Sequence, residues 1–104
     1  MQAFVDLQGA SGAIYRYRLA PDGEVTSRIA GNYAFVREAP EGFAVLSTEA
    51  TSDLSSATAA WRRAAAKHGA LQLYTRLNVS AAVRETEQLD IAAFYKQRRN
   101  RAGK

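Results

Sequence analysis

Apolar and polar residues alternate along much of this chain, and where the alternation stops a helical period takes over. Residues 3–7 read as a short strand, which Gly9-Ala10-Ser11-Gly12 breaks. Ala13, Tyr15, Tyr17 and Leu19 then fall on one face of a second strand, with Arg16 and Arg18 on the other, the period of two that a half-buried strand requires. Pro21-Asp22-Gly23 is a turn, because proline fixes φ and glycine accepts a positive φ. The stretches 32–37 and 43–46 are rich in β-branched and aromatic residues, and Glu38-Ala39-Pro40-Glu41-Gly42 between them predicts a hairpin with a longer loop.

The period then changes. Leu54, Ala57, Thr58, Trp61, Ala64, Ala65 and His68 recur at helical spacing and form one stripe. That stripe predicts a helix that buries Trp61 against the sheet, together with Leu54, Ala57, Ala64 and Ala65. Thr51, Ser52 or Asp53 can cap its start, and Gly69 suits the left-handed position after its end. Leu71, Leu73, Thr75, Leu77 and Val79 alternate again as a third core strand, and Ser80 can cap a second helix running to about residue 94 or 95. The sequence beyond has no period, so residues 97–104 read as a flexible basic tail on a single domain of residues 1–96.

The expected fold class is therefore α+β. A small mixed β-sheet carries a β-β-α-β-α core and an N-terminal strand extension, with both helices on one face. A length of 104 residues suits one domain, and a hydrophobic share of 47% suffices for one core.

Charge changes this picture only at one end. Residues 1–90 hold nine Lys/Arg against ten Asp/Glu, whereas residues 91–104 hold five Lys/Arg and no acid. The body is near neutral and the tail is basic, so no broad basic face of the kind that grips duplex DNA is expected. Cysteine is absent, which removes disulfides, a thiolate nucleophile and Cys-ligated zinc. Met1-Gln2-Ala3-Phe4-Val5-Asp6 has neither the basic nor the apolar part of a signal peptide, and no apolar run reaches membrane-spanning length. A soluble, cytoplasmic protein without membrane partners is the expectation.

Few residues offer chemistry. Gly9-Ala10-Ser11-Gly12 lacks the Lys and Ser/Thr that complete a phosphate loop. His68 is the only histidine, and its place in a last helical turn suits interaction with the helix C-terminus. Glu85, Glu87 and Asp90 form an acidic cluster on the second helix, either paired with Arg84 along the helix or supplying a carboxylate for a divalent cation. Tyr15, Tyr17, Tyr33, Phe35 and Phe43 lie on strands, as core packing or as a stacking platform for single-stranded bases. Lys96, Arg98, Arg99 and Arg101 either neutralise phosphates or form a solvated end.

The β-β-α-β-α order with these residues resembles the GIY-YIG nuclease domain over residues 31–95. Gly31-Asn32-Tyr33 stands where the family has its first motif. The second motif falls on Ser47-Thr48-Glu49, where the family has an aromatic residue, an aliphatic residue and a glycine, and Thr51-Ser52-Asp53-Leu54 after it is family-like. The family's helical arginine falls at Ala57, and Arg84-Glu85-Thr86-Glu87-Gln88-Leu89-Asp90-Ile91 resembles the segment carrying its metal-binding glutamate, with Glu87 in that place. Asn100 is the one counterpart of the C-terminal asparagine, and no proline precedes it.

The resemblance implies a catalytically degenerate relative, because the second tyrosine, the glycine and the arginine are lost. No catalytic residue and no cofactor are then expected; a divalent metal such as Mg2+ would sit at Glu87 only in a residual nuclease. The implied role is a binding or interaction module, with a weakly held nucleic acid or a protein as partner. A residual metal-dependent endonuclease and a purely structural protein-interaction domain are the alternatives.

Overall fold

The computed structural model describes residues 2–102, with the side chains of residues 2–96. The expected flexible tail, with Arg98, Arg99, Arg101 and Lys104, lies outside those described side chains. Five strands form one curled sheet: β1 (Phe4–Gln8), β2 (Ile14–Ala20), β3 (Gly31–Ala39), β4 (Gly42–Thr51) and β5 (Gln72–Leu77). Helix α1 (Ala57–His68) lies between β4 and β5 in the chain, and α2 (Ala81–Ala102) follows β5. The element order β-β-α-β-α behind two leading strands is the one read from the sequence.

The sheet is antiparallel throughout, not mixed. Its order is β1-β2-β5-β3-β4, and every neighbouring pair runs antiparallel. Two short turns make the hairpins, which can only be antiparallel. The α1 connection then carries the chain across β3, so β5 lands on the far side of β3 and joins the two hairpins.

The helices cover opposite faces, where one shared face was expected. On one face Ala57, Ala60, Trp61 and Ala64 of α1 pack with Ala20, Phe35, Leu71 and Leu73. On the other Ile91 and Tyr95 of α2 pack with Val5, Leu7, Tyr17, Ala34, Val36 and Tyr74. The reason lies in the central strands. Ala34, Phe35 and Val36 are buried consecutively, as are Leu73 and Tyr74, and a strand apolar on both sides needs cover on both sides.

Local chemistry sets the ends of α1. A 3₁₀ turn, Leu54–Ser56, leads into it, and the Asp53 carboxylate accepts from Ser55 N at 2.9 Å and Ser55 Oγ at 2.6 Å. Asp53 thus caps the 3₁₀ turn that leads into α1, while Ser56, the residue before α1, makes no side-chain cap bond. Gly69, at φ 88°, donates its N–H to the Ala65 carbonyl at 2.9 Å and ends the helix. Ala60 takes the place in the stripe expected for Ala65. Ser80 opens α2, accepting from Val83 N through its hydroxyl at 3.3 Å. The helix continues past residues 94–95 to Ala102, because no Gly or Pro interrupts a run of good helix formers.

Two other details depart from the alternation. The β3–β4 hairpin closes on Pro40-Glu41 alone, since the strands extend to Ala39 and Gly42. Leu77 and Val79 are exposed, because they project beyond the part of the sheet that α1 covers.

Trp61 is half-buried. Its indole Nε1 donates to the Leu71 carbonyl at 2.9 Å, and its ring lies against Gly23, held at φ +70° where a Cβ would overlap the indole. Trp61→Ala is expected to cost about 2–4 kcal/mol, below the upper range for deeply buried aromatics because part of the ring is wet. A urea melt showing less than about 1 kcal/mol of change would place the helix contact elsewhere.

Candidate functional site

Strand β3 divides the residues of interest between two faces. Tyr33 turns toward α1, and its ring centroid is 5.5 Å from that of Phe35. Its cross-strand partners are Glu49 on β4 and Thr75 on β5, while Ser47 stands opposite Phe35. A β-bulge at Leu46 sets this register, since Phe35 pairs with Ser47 but Val36 pairs with Val45. Burial raises the Tyr33 hydroxyl above its ordinary pKa; Glu49 adds to the rise and Arg63 opposes it. Ala57 is fully buried on the same side of the sheet. Tyr33, Ser47, Glu49 and Ala57 therefore share one side.

Glu87 is on the other side. Its Oε1 accepts from Arg76 Nε at 2.9 Å and from Asn78 Nδ2 at 3.0 Å. Asn78 Nδ2 also donates to Asn32 Oδ1 at 3.0 Å, and Asn32 Nδ2 donates to the Arg84 carbonyl at 2.8 Å. Asn32 is completely buried, and strand alternation places it on the face opposite Tyr33. The Glu87 side chain is 15% exposed and that of Arg76 31%. Arg76 also lies 5.5 Å above the Tyr15 ring.

The acidic cluster read along α2 is thus dispersed among separate partners. Arg84 does not pair with Glu87; it donates to the Val79 carbonyl at 2.8 Å. Asp90 accepts from Ser11 N at 2.8 Å, Ser11 Oγ at 2.6 Å and Tyr15 Oη at 2.8 Å. With Ala10 N donating to the Asp90 carbonyl at 2.9 Å, this latch fastens the β1–β2 turn to α2. Glu85 stays exposed, and among the described residues no three His, Asp or Glu side chains converge on a metal position.

The hydrogen bonds from Ser11 and Tyr15 hold the Asp90 carboxyl below its ordinary pKa. A depressed folded-state pKa means that the stabilisation is present above the unfolded value, about pH 4, and is lost as pH falls through the folded value. The melting temperature of the wild type is expected to fall more steeply below about pH 4 than that of Asp90→Asn. Parallel curves for the two proteins in thermal melts from neutral to acidic pH would show that the latch contributes nothing.

The remaining candidates are mostly structural. Tyr17 and Phe35 are buried and Tyr15 and Tyr33 partly so, which leaves Phe43 as the one of these five open to solvent. Burial pushes the Tyr17 hydroxyl well above its ordinary pKa. The His68 carbonyl accepts from Arg37 Nη2 at 2.6 Å. Lys96 is exposed and edges a groove of about 250 Å3 between β4 and α2, beside Ser47, Glu49 and Gln88. Gln88 Nε2 closes the floor of that groove on the Thr48 carbonyl at 2.8 Å.

Arg76 and Asn78 are the residues that the motif reading passed over, and Asn32 enters it only as the middle of Gly31-Asn32-Tyr33. One signal for Arg76 was present: if Leu71, Leu73 and Thr75 share a face, then Tyr74 and Arg76 share the other, and an arginine there needs a partner. No described helix is long and apolar enough to cross a membrane. Comparison with protein-family models, with curated proteins and with solved structures gives no match to this chain.

Proposed function

We propose that the domain is a GIY-YIG-type nuclease fold that no longer cuts and serves as a binding or interaction module. The strand pair Gly31–Ala39 and Gly42–Thr51, followed by helix, strand and helix, supports the fold part of this reading. Tyr33 and Glu87 stand at the two motif positions that remain.

One observation carries the loss of cleavage. Tyr33 and Glu87 lie on opposite faces of the sheet, and Glu87 is taken up by Arg76 and Asn78. Phosphodiester cleavage needs a group that activates water and positive charge that meets the developing anion, usually around a metal. Ser47 has no histidine beside it to make it a base, and Ala57 carries no charge. The near-neutral body favours a protein partner over nucleic acid, leaving the basic C-terminal residues as the route to a nucleic-acid backbone.

Purified protein with Mg2+ or Mn2+ is expected to leave DNA and RNA uncut above background, and Glu87→Ala to leave that result unchanged. Metal-dependent cleavage that Glu87→Ala abolishes would restore the residual nuclease. A gel shift over a salt series separates the partners, because phosphate binding weakens steeply with salt and a protein contact does not.

A further inference from the structure

Strands β2 and β5 pair over three residues only: Arg18↔Thr75, Leu19↔Tyr74 and Ala20↔Leu73. Beyond Arg18 they diverge, and a side chain replaces the ladder: Arg76 Nη1 donates to the Arg16 carbonyl at 3.4 Å. The wedge holds a groove of about 400 Å3, lined by three arginines and by no carboxylate.

The groove has a charged wall and an apolar one. Phe4 pairs in register with Arg18, and Arg18 with Thr75, so ring, guanidinium and hydroxyl stand side by side on one face. Arg16 spends Nε and Nη2 on Asp6 and lies 5.5 Å over the Phe4 ring, and Arg76 spends Nε and Nη1 on Glu87 and the Arg16 carbonyl, so Arg18 is the guanidinium left for a ligand. Arg18 makes no ion pair among the described residues. Phe4 is 47% exposed and Leu77 61%, so both are open to a ligand in the groove.

We propose that this groove binds a phosphate monoester, with the phosphate at Arg18 and the organic body against Phe4 and Leu77. A guanidinium presents a fixed fork of donors that matches phosphate oxygens, and Thr75 adds a hydroxyl. The volume lies at the small end of ligand pockets, which suits one phosphorylated small molecule. The rest of the body is near neutral, so the attraction is local to the wedge and does not come from an overall field. Arg16, Arg18 and Phe4 belong to the N-terminal strands, outside the 31–95 core, while Thr75 and Leu77 lie on β5 within it, and none of these five stands at a motif position of the nuclease-like reading.

The test is titration of the full chain with phenyl phosphate, followed by calorimetry and by backbone amide NMR. Shifts are expected at Arg16, Arg18, Thr75 and Leu77, and inorganic phosphate should bind about tenfold more weakly because it lacks a body to cover Phe4 and Leu77. Arg18→Ala should weaken phenyl phosphate at least about tenfold, the worth of a charged hydrogen bond, and Arg18→Lys should lose part of that. The Arg18 side chain is exposed, so circular dichroism of the variants should match the wild type. Unchanged affinity in Arg18→Ala, or equal affinity for inorganic and phenyl phosphate, would overturn the site. Tighter binding of an oligo-deoxythymidine strand at the same residues would overturn the small-molecule assignment in favour of nucleic acid.

Discussion

Gly31→Ala is expected to destabilise the domain by about 3 kcal/mol or more, the upper range for overpacking a filled interior. A Cβ at Gly31 would overlap the carbonyl oxygen of Arg76 and lie 2.7 Å from Leu54 Cδ1. Neither neighbour can give way cheaply. The carbonyl belongs to β5, whose register with β3 runs through Gly31↔Leu77 and Asn32↔Arg76. Leu54 is 1% exposed, and its N–H donates to the Ile29 carbonyl at 3.0 Å. The strain would fall where β3, β5 and the entry to α1 meet. Equilibrium urea denaturation of Gly31→Ala checks this, and a loss under about 1 kcal/mol would mean that the strands approach less closely than they do here. Gly31 is then a packing glycine, required by the close approach of Arg76 and Leu54 to its α-carbon.

The sequence made the local elements legible because each has its own period and punctuation. The alternation of Tyr15, Tyr17 and Leu19 against Arg16 and Arg18 marked β2, and the Leu54–Trp61 spacing with Asp53 and Gly69 at the ends marked α1. What it hid was the way the elements meet. The placement of β5 between β2 and β3 is a long-range pairing that no local pattern encodes. The opposite placement of the two helices follows from buried residues on both faces of β3. In the sequence those residues, Ala34, Phe35 and Val36, read as a short apolar run without a face.

The candidate residues were legible as letters but not as an arrangement. Spacing along α2 suggested that Glu87 and Asp90 act together with Arg84. In the fold their partners come from β5 and from the β1–β2 turn, more than seventy residues away in the case of Ser11 and Asp90. A side chain on a helix facing a sheet finds its partner across the packing interface, and sequence separation carries no record of it. Arg76 shows the same limit: its reach over Tyr15 depends on β2 and β5 being neighbours.

Glu87→Ala provides the sharpest distinction between a structural and a catalytic glutamate, and it is expected to cost about 2–3 kcal/mol of stability. Removing the carboxylate would leave the Arg76 guanidinium, 31% exposed, without its anion, and would deprive the Asn78 amide N–H of one acceptor. Asn78 would retain Asn32 Oδ1, and Arg76 would retain the Arg16 carbonyl at 3.4 Å, so the loss stays below that of a fully buried ion pair. Glu87→Gln keeps one oxygen that can accept from both donors and loses the charge, so about 1 kcal/mol is expected. Arg76→Ala combined with Glu87→Ala should cost less than the sum of the two by about 1–2 kcal/mol, because each single change strands the other partner. A metal-binding glutamate held out for catalysis would behave in the opposite way, since neutralising an unpaired carboxylate in a partly buried position relieves desolvation and stabilises the fold. Urea melts of the wild type and the four variants therefore decide the matter by sign: a Glu87→Ala variant as stable as the wild type, or more so, would mean that the Arg76–Asn78–Asn32 network does not hold α2 to the sheet.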